Sequence, residues 1–312
     1  MPAVIPRHFN QYSPAEHIII CSRMDMRTLL NLRCASRLTM YAIAAMQRLL
    51  LERLCGWYLP AAPSFLNTLG RVRGFIGGDV AASFIMRQVP PHSAQLEIYV
   101  GEDGWAELMQ ELSDKQGCAQ GAMLQAEDSE HGDWMVRAAL ESVVPFFSPR
   151  GCQLWLFEAA TSDPLAPIAC RPSTPHLAYI NPFYFGAGYP FLTMARRGLV
   201  ADLPVGVPPE DIQEKWEEWG VDVRLSAGEW LEYRHLVCAS SIGLCPSQVR
   251  GWADGNAMHC RMLPLGCEEL DTTVLWRLAR RKCGVGCRGA EGDPNVYRLP
   301  VNDKYVELPV PV

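Results

Sequence analysis

GRVRGFIGGDVAASFIMRQVPPHSAQLEIYV, residues 70–100, sets the organisation of this chain, because a glycine-marked strand end, a short helix and a second strand follow one another within it. An apolar run over 71–76 stops at Gly77-Gly78, a pair without Cβ atoms that lets backbone approach a ligand or a neighbouring element. Asp79 is placed to N-cap a helix over 80–86, its carboxylate accepting from the free amides of the first turn. After the break at Pro90-Pro91, Leu96, Ile98 and Val100 alternate with Glu97 and Tyr99, which predicts a half-buried strand.

Upstream of this stretch, residues 11–57 predict three helices. Ser13-Pro14-Ala15-Glu16 is a capping box with proline at the first helical position, launching a helix through Ile18 and Cys21. Asp25 caps a second helix carrying Leu29, Leu30 and Leu32, and Ser36 caps a longer third with Leu38, Ala42, Met46 and Leu49 along one face. Three short amphipathic helices bury too little surface to stand alone, so they are expected to dock on the rest of the chain or on a partner. The prolines and small residues of 58–64 mark the boundary to the following domain.

Downstream, 105–112 reads as an amphipathic helix, 113–133 as a polar, acidic surface excursion, 134–144 as a helix and 152–157 as an apolar strand. Prolines and aromatics crowd 164–199, which forbids long helices and predicts a turn-rich core segment containing His176, expected as a hydrogen-bonded structural group. Residues 209–219 form a helix with Ile212, Trp216 and Trp219 on one side and Lys215 among the outward charges. Arg277, Arg280, Arg281 and Lys282 are expected at a helix C-terminus, where they complement the dipole. The proline-rich tail, 293–312, is expected to be extended.

The 312 residues, 49% hydrophobic and 20% charged, suffice for one large or two modest globular domains. A net charge of -6 argues against a surface built to hold nucleic-acid phosphates. The N-terminus lacks the pattern of a secretory signal, and no apolar run reaches the roughly 20 residues of a membrane helix, so a cytoplasmic or nuclear protein is expected. Of twelve cysteines, seven, Cys238 among them, are scattered among apolar neighbours as small core residues. The later five are Cys245, Cys260, Cys267, Cys283 and Cys287, and only Cys283-Gly-Val-Gly-Cys287 approaches a zinc-ligand pair. With no second pair in view, reduced, metal-free thiols are expected there.

The strand, Gly77-Gly78, helix and strand order resembles the signature of the DNA polymerase beta-like nucleotidyltransferases. In working members of that fold the glycine turn approaches a triphosphate, and two acids one residue apart on the second strand hold magnesium ions. The resemblance therefore implies Gly77 and Gly78 as a phosphate-binding turn, and Gln95 and Glu97 at the two acidic positions. Because Gln95 is neutral, the pair lacks one of the anions that two divalent ions require. No catalytic residue is expected from it, with Asp79 as the nearest displaced acid that could substitute.

The N-terminal helices resemble an F-box: Pro14-x-Glu16 and its apolar run, Asp25, Leu29-Leu30-x-Leu32 and Ala35-Ser36-Arg37. That likeness implies contact with a Skp-type adaptor of a cullin ubiquitin ligase through Pro14, Ile18, Leu29, Leu30 and Leu32. Most of 14–290 is similar to a large family of mushroom-forming fungi with an F-box-like N-terminus and a degenerate nucleotidyltransferase-like domain. The likeness is carried by Leu154, the LAPI, ST, YP and RGL segments between 165 and 199, Cys245-Pro246, Arg250, Asp254, Trp276-Arg277 and Cys283. Members tend to have serine where this chain has Asp79, an Asp-x-Asp strand, and His-Ser-Thr where it reads Arg171-Pro172-Ser173-Thr174.

Together these readings predict an α+β chain: an F-box-like helical region at 11–57, a nucleotidyltransferase-like mixed sheet flanked by helices at 65–292, and a tail. The expected function is that of an intracellular adaptor whose second domain is a pseudoenzyme serving as a recognition surface, with no cofactor. The alternatives are a divergent nucleotidyltransferase that uses magnesium, and a nucleotide-binding pseudoenzyme.

Overall fold

The computed structural model describes residues 13–126, 139–203, 208–262, 272–289, 298–301 and 304–307. Three helices open it: α1 (Pro14–Ser22), α2 (Met26–Arg33) and α3 (Arg37–Tyr58). Their starts are fixed by side-chain caps, Ser13 on the amide of Glu16 at 3.3 Å, Asp25 on that of Thr28 at 2.7 Å and Ser36 on that of Thr39 at 3.1 Å. Cys21, Leu29, Ile43 and Met46 pack between them. Met26, Leu51, Leu54 and Cys55 continue into the main core, so the trio is docked on the rest of the chain. Arg87 fastens it further, donating to the carbonyls of Cys21 (3.0 Å) and Met24 (3.3 Å).

Next come α4 (Ala62–Arg71), β1 (Phe75–Gly77), α5 (Gly78–Met86), β2 (Leu96–Val100) and α6 (Glu102–Gln110), which runs into a π turn over Glu111–Lys115. Four strands follow: β3 (Ala119–Gln120), β4 (Leu124–Gln125), β5 (Leu140–Phe147) and β6 (Gln153–Ala159). The proline-rich stretch supplies α7 (Leu165–Ala169), β7 (Ala178–Ile180), β8 (Tyr184–Ala187), α8 (Pro190–Met194) and β9 (Arg197–Leu199). Then come α9 (Pro209–Glu217), β10 (Asp222–Arg224), β11 (Val249–Gly251), β12 (Met258–Arg261) and β13 (Leu275–Arg277). The described parts of the tail are extended, as two paired antiparallel strands, β14 (Arg298–Val301) and β15 (Lys304–Glu307).

The fold is α+β around a mixed nine-stranded sheet of order β12-β8-β7-β1-β2-β6-β5-β3, with β4 also on β5. Only β2 and β6 pair in parallel within it. One face, with Ile76, Leu96, Ile98, Val100, Leu154 and Leu156, meets α3, α4 and α5. The other, with Phe75, Tyr99, Phe157 and Tyr179, is covered by α7 and by residues between 227 and 287, including Trp230, Trp252 and Trp276. A third cluster packs Trp216 of α9, Val223 of β10 and Val200 on Ala82 and Met86 of α5. No helix among the described residues is long and apolar enough to cross a membrane.

Several local expectations are corrected. β2 is buried on both faces rather than half-buried, because the 227–287 layer covers the side that bears Glu97 and Tyr99. The helix α5 starts at Gly78 with Gly77 as its cap, so Asp79 lies in the first turn and caps nothing. The helix expected over 134–144 is replaced, from Leu140 onward, by β5. That strand pairs with β6 through a turn ending at Gly151 (φ 77°), and this gain overrides the helical spacing. Within the supposed excursion of 113–133, β3 and β4 add to the edge of the sheet, and 127–133 lie outside the described residues. Of the basic cluster, Arg277 ends β13 and Arg280, Arg281 and Lys282 follow that strand, not a helix; Arg281 donates instead to the carbonyls of Leu225 (2.7 Å), Val200 and Ala201.

Candidate functional site

The glycine turn between β1 and α5 lies against β2 with Gly77 opposite Glu97 in the antiparallel register. Gly78 has φ 58°, a conformation L side chains resist, and a Cβ there would stand 2.4 Å from the Glu97 carboxyl carbon. A Cβ on Gly77 would meet the Tyr99 ring at 2.6 Å. The backbone closeness that the sequence suggested for a ligand is thus taken up by Glu97 and Tyr99 of the chain itself.

Glu97 has both oxygens engaged. Tyr99 donates its hydroxyl to Oε2 at 2.6 Å, and Arg171 donates Nη2 to Oε1 at 2.6 Å. The Tyr99 hydroxyl is held protonated: burial pushes it well above its ordinary value and the Glu97 carboxylate beside it adds to the rise, against the opposing pull of Arg171. Gln95, just ahead of β2, accepts from Trp155 Nε1 and donates to Gln153 Oε1, each at 2.9 Å. Trp155 is the residue opposite Glu97 on β6, so an indole stands next to the single acid of the expected pair.

Asp79 lies in a second network. Its Oδ1 is 3.2 Å from His176 Nε2 and 3.0 Å from Lys215 Nζ, while His176 Nδ1 is 2.9 Å from Ser173 Oγ. Trp216 Nε1 donates to that same Ser173 oxygen at 2.9 Å. Since the Asp79 carboxylate can only accept, the neutral imidazole carries its proton on Nε2, and its Nδ1 accepts from the Ser173 hydroxyl, whose oxygen accepts from Trp216. Burial pushes His176 below its ordinary pKa, with Arg171 and Lys215 adding to the effect against Asp79. Burial works to raise the Asp79 carboxyl, but the hydrogen bond from His176 and the Lys215 ammonium outweigh it and hold it well below the usual carboxylate range.

A serine, a histidine and an aspartate in line invite comparison with a hydrolytic triad, but Ser173 is fully buried and its oxygen already accepts from Trp216. The chain of contacts is a bolt between α5, the 173–176 turn and α9, as expected for a structural histidine. Lys215 departs from expectation: it reaches inward to Asp79 instead of standing on the solvated face of α9. Across the two networks the carboxylates of Glu97 and Asp79 are matched by Arg171 and Lys215, so the local charge is balanced without a metal. Two divalent ions would first have to displace both cations.

The residues implied for adaptor contact are not all on the surface. Ile18 is exposed, and its neighbour Ile19 more so, but Leu29 is fully buried within the helical trio. Leu30 packs toward the main core and Leu32 toward the trio's own, each half-buried. Pro14 opens α1. Among the described residues of this region, large apolar side chains are exposed at Ile18 and Ile19 on α1 and at Leu38, Tyr41, Leu49 and Trp57 on α3.

The expectation that Cys283 and Cys287 lack a partner pair is overturned. Cys238 and Cys245 lie with them, all four sulfurs within 4.8 Å of one another. Spacing hid this because Cys238 read as one of the scattered core thiols. Cys260 is on β12, and Cys267 lies outside the described residues. Comparison with protein-family models and with curated proteins gives no match to this chain.

Proposed function

We propose that this chain is an F-box-like interaction protein whose nucleotidyltransferase-like domain is catalytically inactive and presents a recognition surface. The observation that carries the inactive half is the closure of Glu97: its two oxygens are occupied by Tyr99 and Arg171 at 2.6 Å, and the glycine turn is packed directly on Glu97 and Tyr99. A nucleotidyltransferase that uses magnesium would need Arg171 and Lys215 withdrawn and a second carboxylate at Gln95, and nothing else in the networks favours that alternative. The adaptor half rests on the three capped helices and on the apolar side chains that α1 and α3 leave exposed.

The partner is a Skp-type adaptor of a cullin ubiquitin ligase, held through apolar contacts. Affinity capture of the full chain from its native cells, followed by identification of Skp and cullin subunits, tests it. Their recovery supports the adaptor reading, and their absence from a capture that retains the folded chain removes it.

A further inference from the structure

Cys238, Cys245, Cys283 and Cys287 bring four sulfurs to one point in the layer that covers the Glu97 face of the sheet. Their separations are 3.6 Å for Cys238 to Cys283, 3.6 Å for Cys245 to Cys287 and 3.8 Å for Cys238 to Cys287. Four thiolates around one ion at the zinc–sulfur distance of about 2.3 Å form a tetrahedron with edges of about 3.8 Å. A disulfide needs sulfurs at about 2.0 Å, so none of these pairs is bonded. An iron–sulfur cluster places several irons and sulfides between its cysteines, which would spread them beyond these contacts.

We infer that the four cysteines form a structural zinc site, a closed tetrathiolate that ties 238–245 to 283–287. The surrounding chain is shaped for it. Cys238 precedes the 3-10 turn Ala239–Ile242, and Gly243 in the left-handed region (φ 68°) ends that turn, so that Cys245 returns beside Cys238. In Cys283-Gly-Val-Gly-Cys287 the second glycine lets the loop close over Val237, since a Cβ on Gly286 would stand 2.3 Å from Val237 Cγ1.

Donors also converge on the sulfurs. The amide of Ala239 points at Cys283 Sγ and that of Gly289 at Cys287 Sγ, both at 3.3 Å, and Ser247 Oγ lies 3.1 Å from Cys245 Sγ. Such donors orient thiolate ligands and offset the charge of a four-sulfur site. Soft sulfur ligands exclude magnesium and calcium and suit zinc, and four protein ligands leave no open position for catalysis. The layer has need of a cross-link, because its own strands β11 and β13 have three residues each and the 3-10 helix after Cys238 has four, while the ligands span 49 positions.

The test is elemental analysis of the full-length chain, expressed with zinc in the medium and purified under reducing conditions without chelator. One zinc per chain is expected, falling to background in Cys238→Ser/Cys245→Ser and in Cys283→Ser/Cys287→Ser. Should those variants fail to fold, the wild-type chain produced in cobalt medium serves instead. It should show the sulfur-to-cobalt charge-transfer absorption and the intense visible bands of a tetrahedral tetrathiolate. Background zinc in the wild type with no such cobalt spectrum, stoichiometric iron in place of zinc, or a mass showing these cysteines joined as disulfides would each overturn the assignment.

Discussion

Arg171 decides the state of Glu97, and Gly78 decides whether the two can meet. Replacing Arg171 by methionine leaves a buried carboxylate facing Tyr99 alone, and for this partly exposed pair the expected loss is about 3 kcal/mol, the low end for breaking a buried ion pair. Adding Glu97→Gln removes the stranded charge, so the double variant should recover part of that loss in urea unfolding. A loss in the double variant equal to the sum of the losses in Arg171→Met and Glu97→Gln would show that the pair is not coupled. His176 gives a second prediction, on pH. Its folded pKa lies below its ordinary value near 6.5, so the unfolded chain takes up a proton first, and stability must fall as pH drops from about 6.5 through the folded value. Asp79, held below the usual carboxylate range, gives stability present above about 4 and lost as pH falls further. His259, also lowered by burial, has the same sign as His176 and remains in both chains. His176→Asn should therefore flatten the change in urea midpoint between pH 7 and pH 5 relative to wild type. An unchanged slope would mean that His176 does not titrate with unfolding.

At the scale of elements, α1 to α3 were legible because their caps are local: Ser13, Asp25 and Ser36 announce their helices within three residues. Strand β5 was not legible, since what makes 140–147 a strand is its pairing with β6 across the sheet, and no local residue reports that. The face of a helix is also decided non-locally. Leu29 and Ile18 both read as apolar residues of an amphipathic helix, yet Leu29 of α2 is buried among Cys21, Ile43 and Met46 while Ile18 of α1 is exposed. The two positions consequently give opposite experiments. Ile18→Asp/Ile19→Asp should abolish recovery of a Skp-type adaptor while leaving the circular dichroism and unfolding midpoint within about 0.5 kcal/mol of wild type, as exposed sites do. Leu29→Asp should instead destabilise the chain by at least about 3 kcal/mol, because it buries an unpaired carboxylate among Cys21, Ile43 and Met46. Adaptor recovery undiminished by the Ile18/Ile19 change would place the contact elsewhere.

Taken as a whole, the molecule engages the two acids beside its glycine turn with groups drawn from far along the chain, and this is why the sequence could show the missing acid but not the partners of the acids that remain. Gln95 and Glu97 stand beside Gly77-Gly78 in the signature, so the deficit of charge was readable in one stretch. Arg171 arrives from beyond α7, His176 from the turn before β7 and Lys215 from α9, and only the order of strands and the cluster between α5, β10 and α9 bring them to the site. The consequence is specific. Gln95→Asp restores the acidic pair in sequence but should restore no activity, for two reasons. The new carboxylate would face Gln153 Oε1, now without the amide that met it, and Glu97 would still be neutralised by Arg171. Even Gln95→Asp combined with Arg171→Ala leaves Asp79 held by Lys215 and His176. Wild type and both variants are therefore expected to transfer no labelled nucleotide from any of the four triphosphates to protein, RNA or small acceptors, with magnesium or manganese. Turnover in the wild type that is lost in Glu97→Gln would mean that Arg171 swings away when metal and nucleotide bind, and the domain would then have to be read as an enzyme.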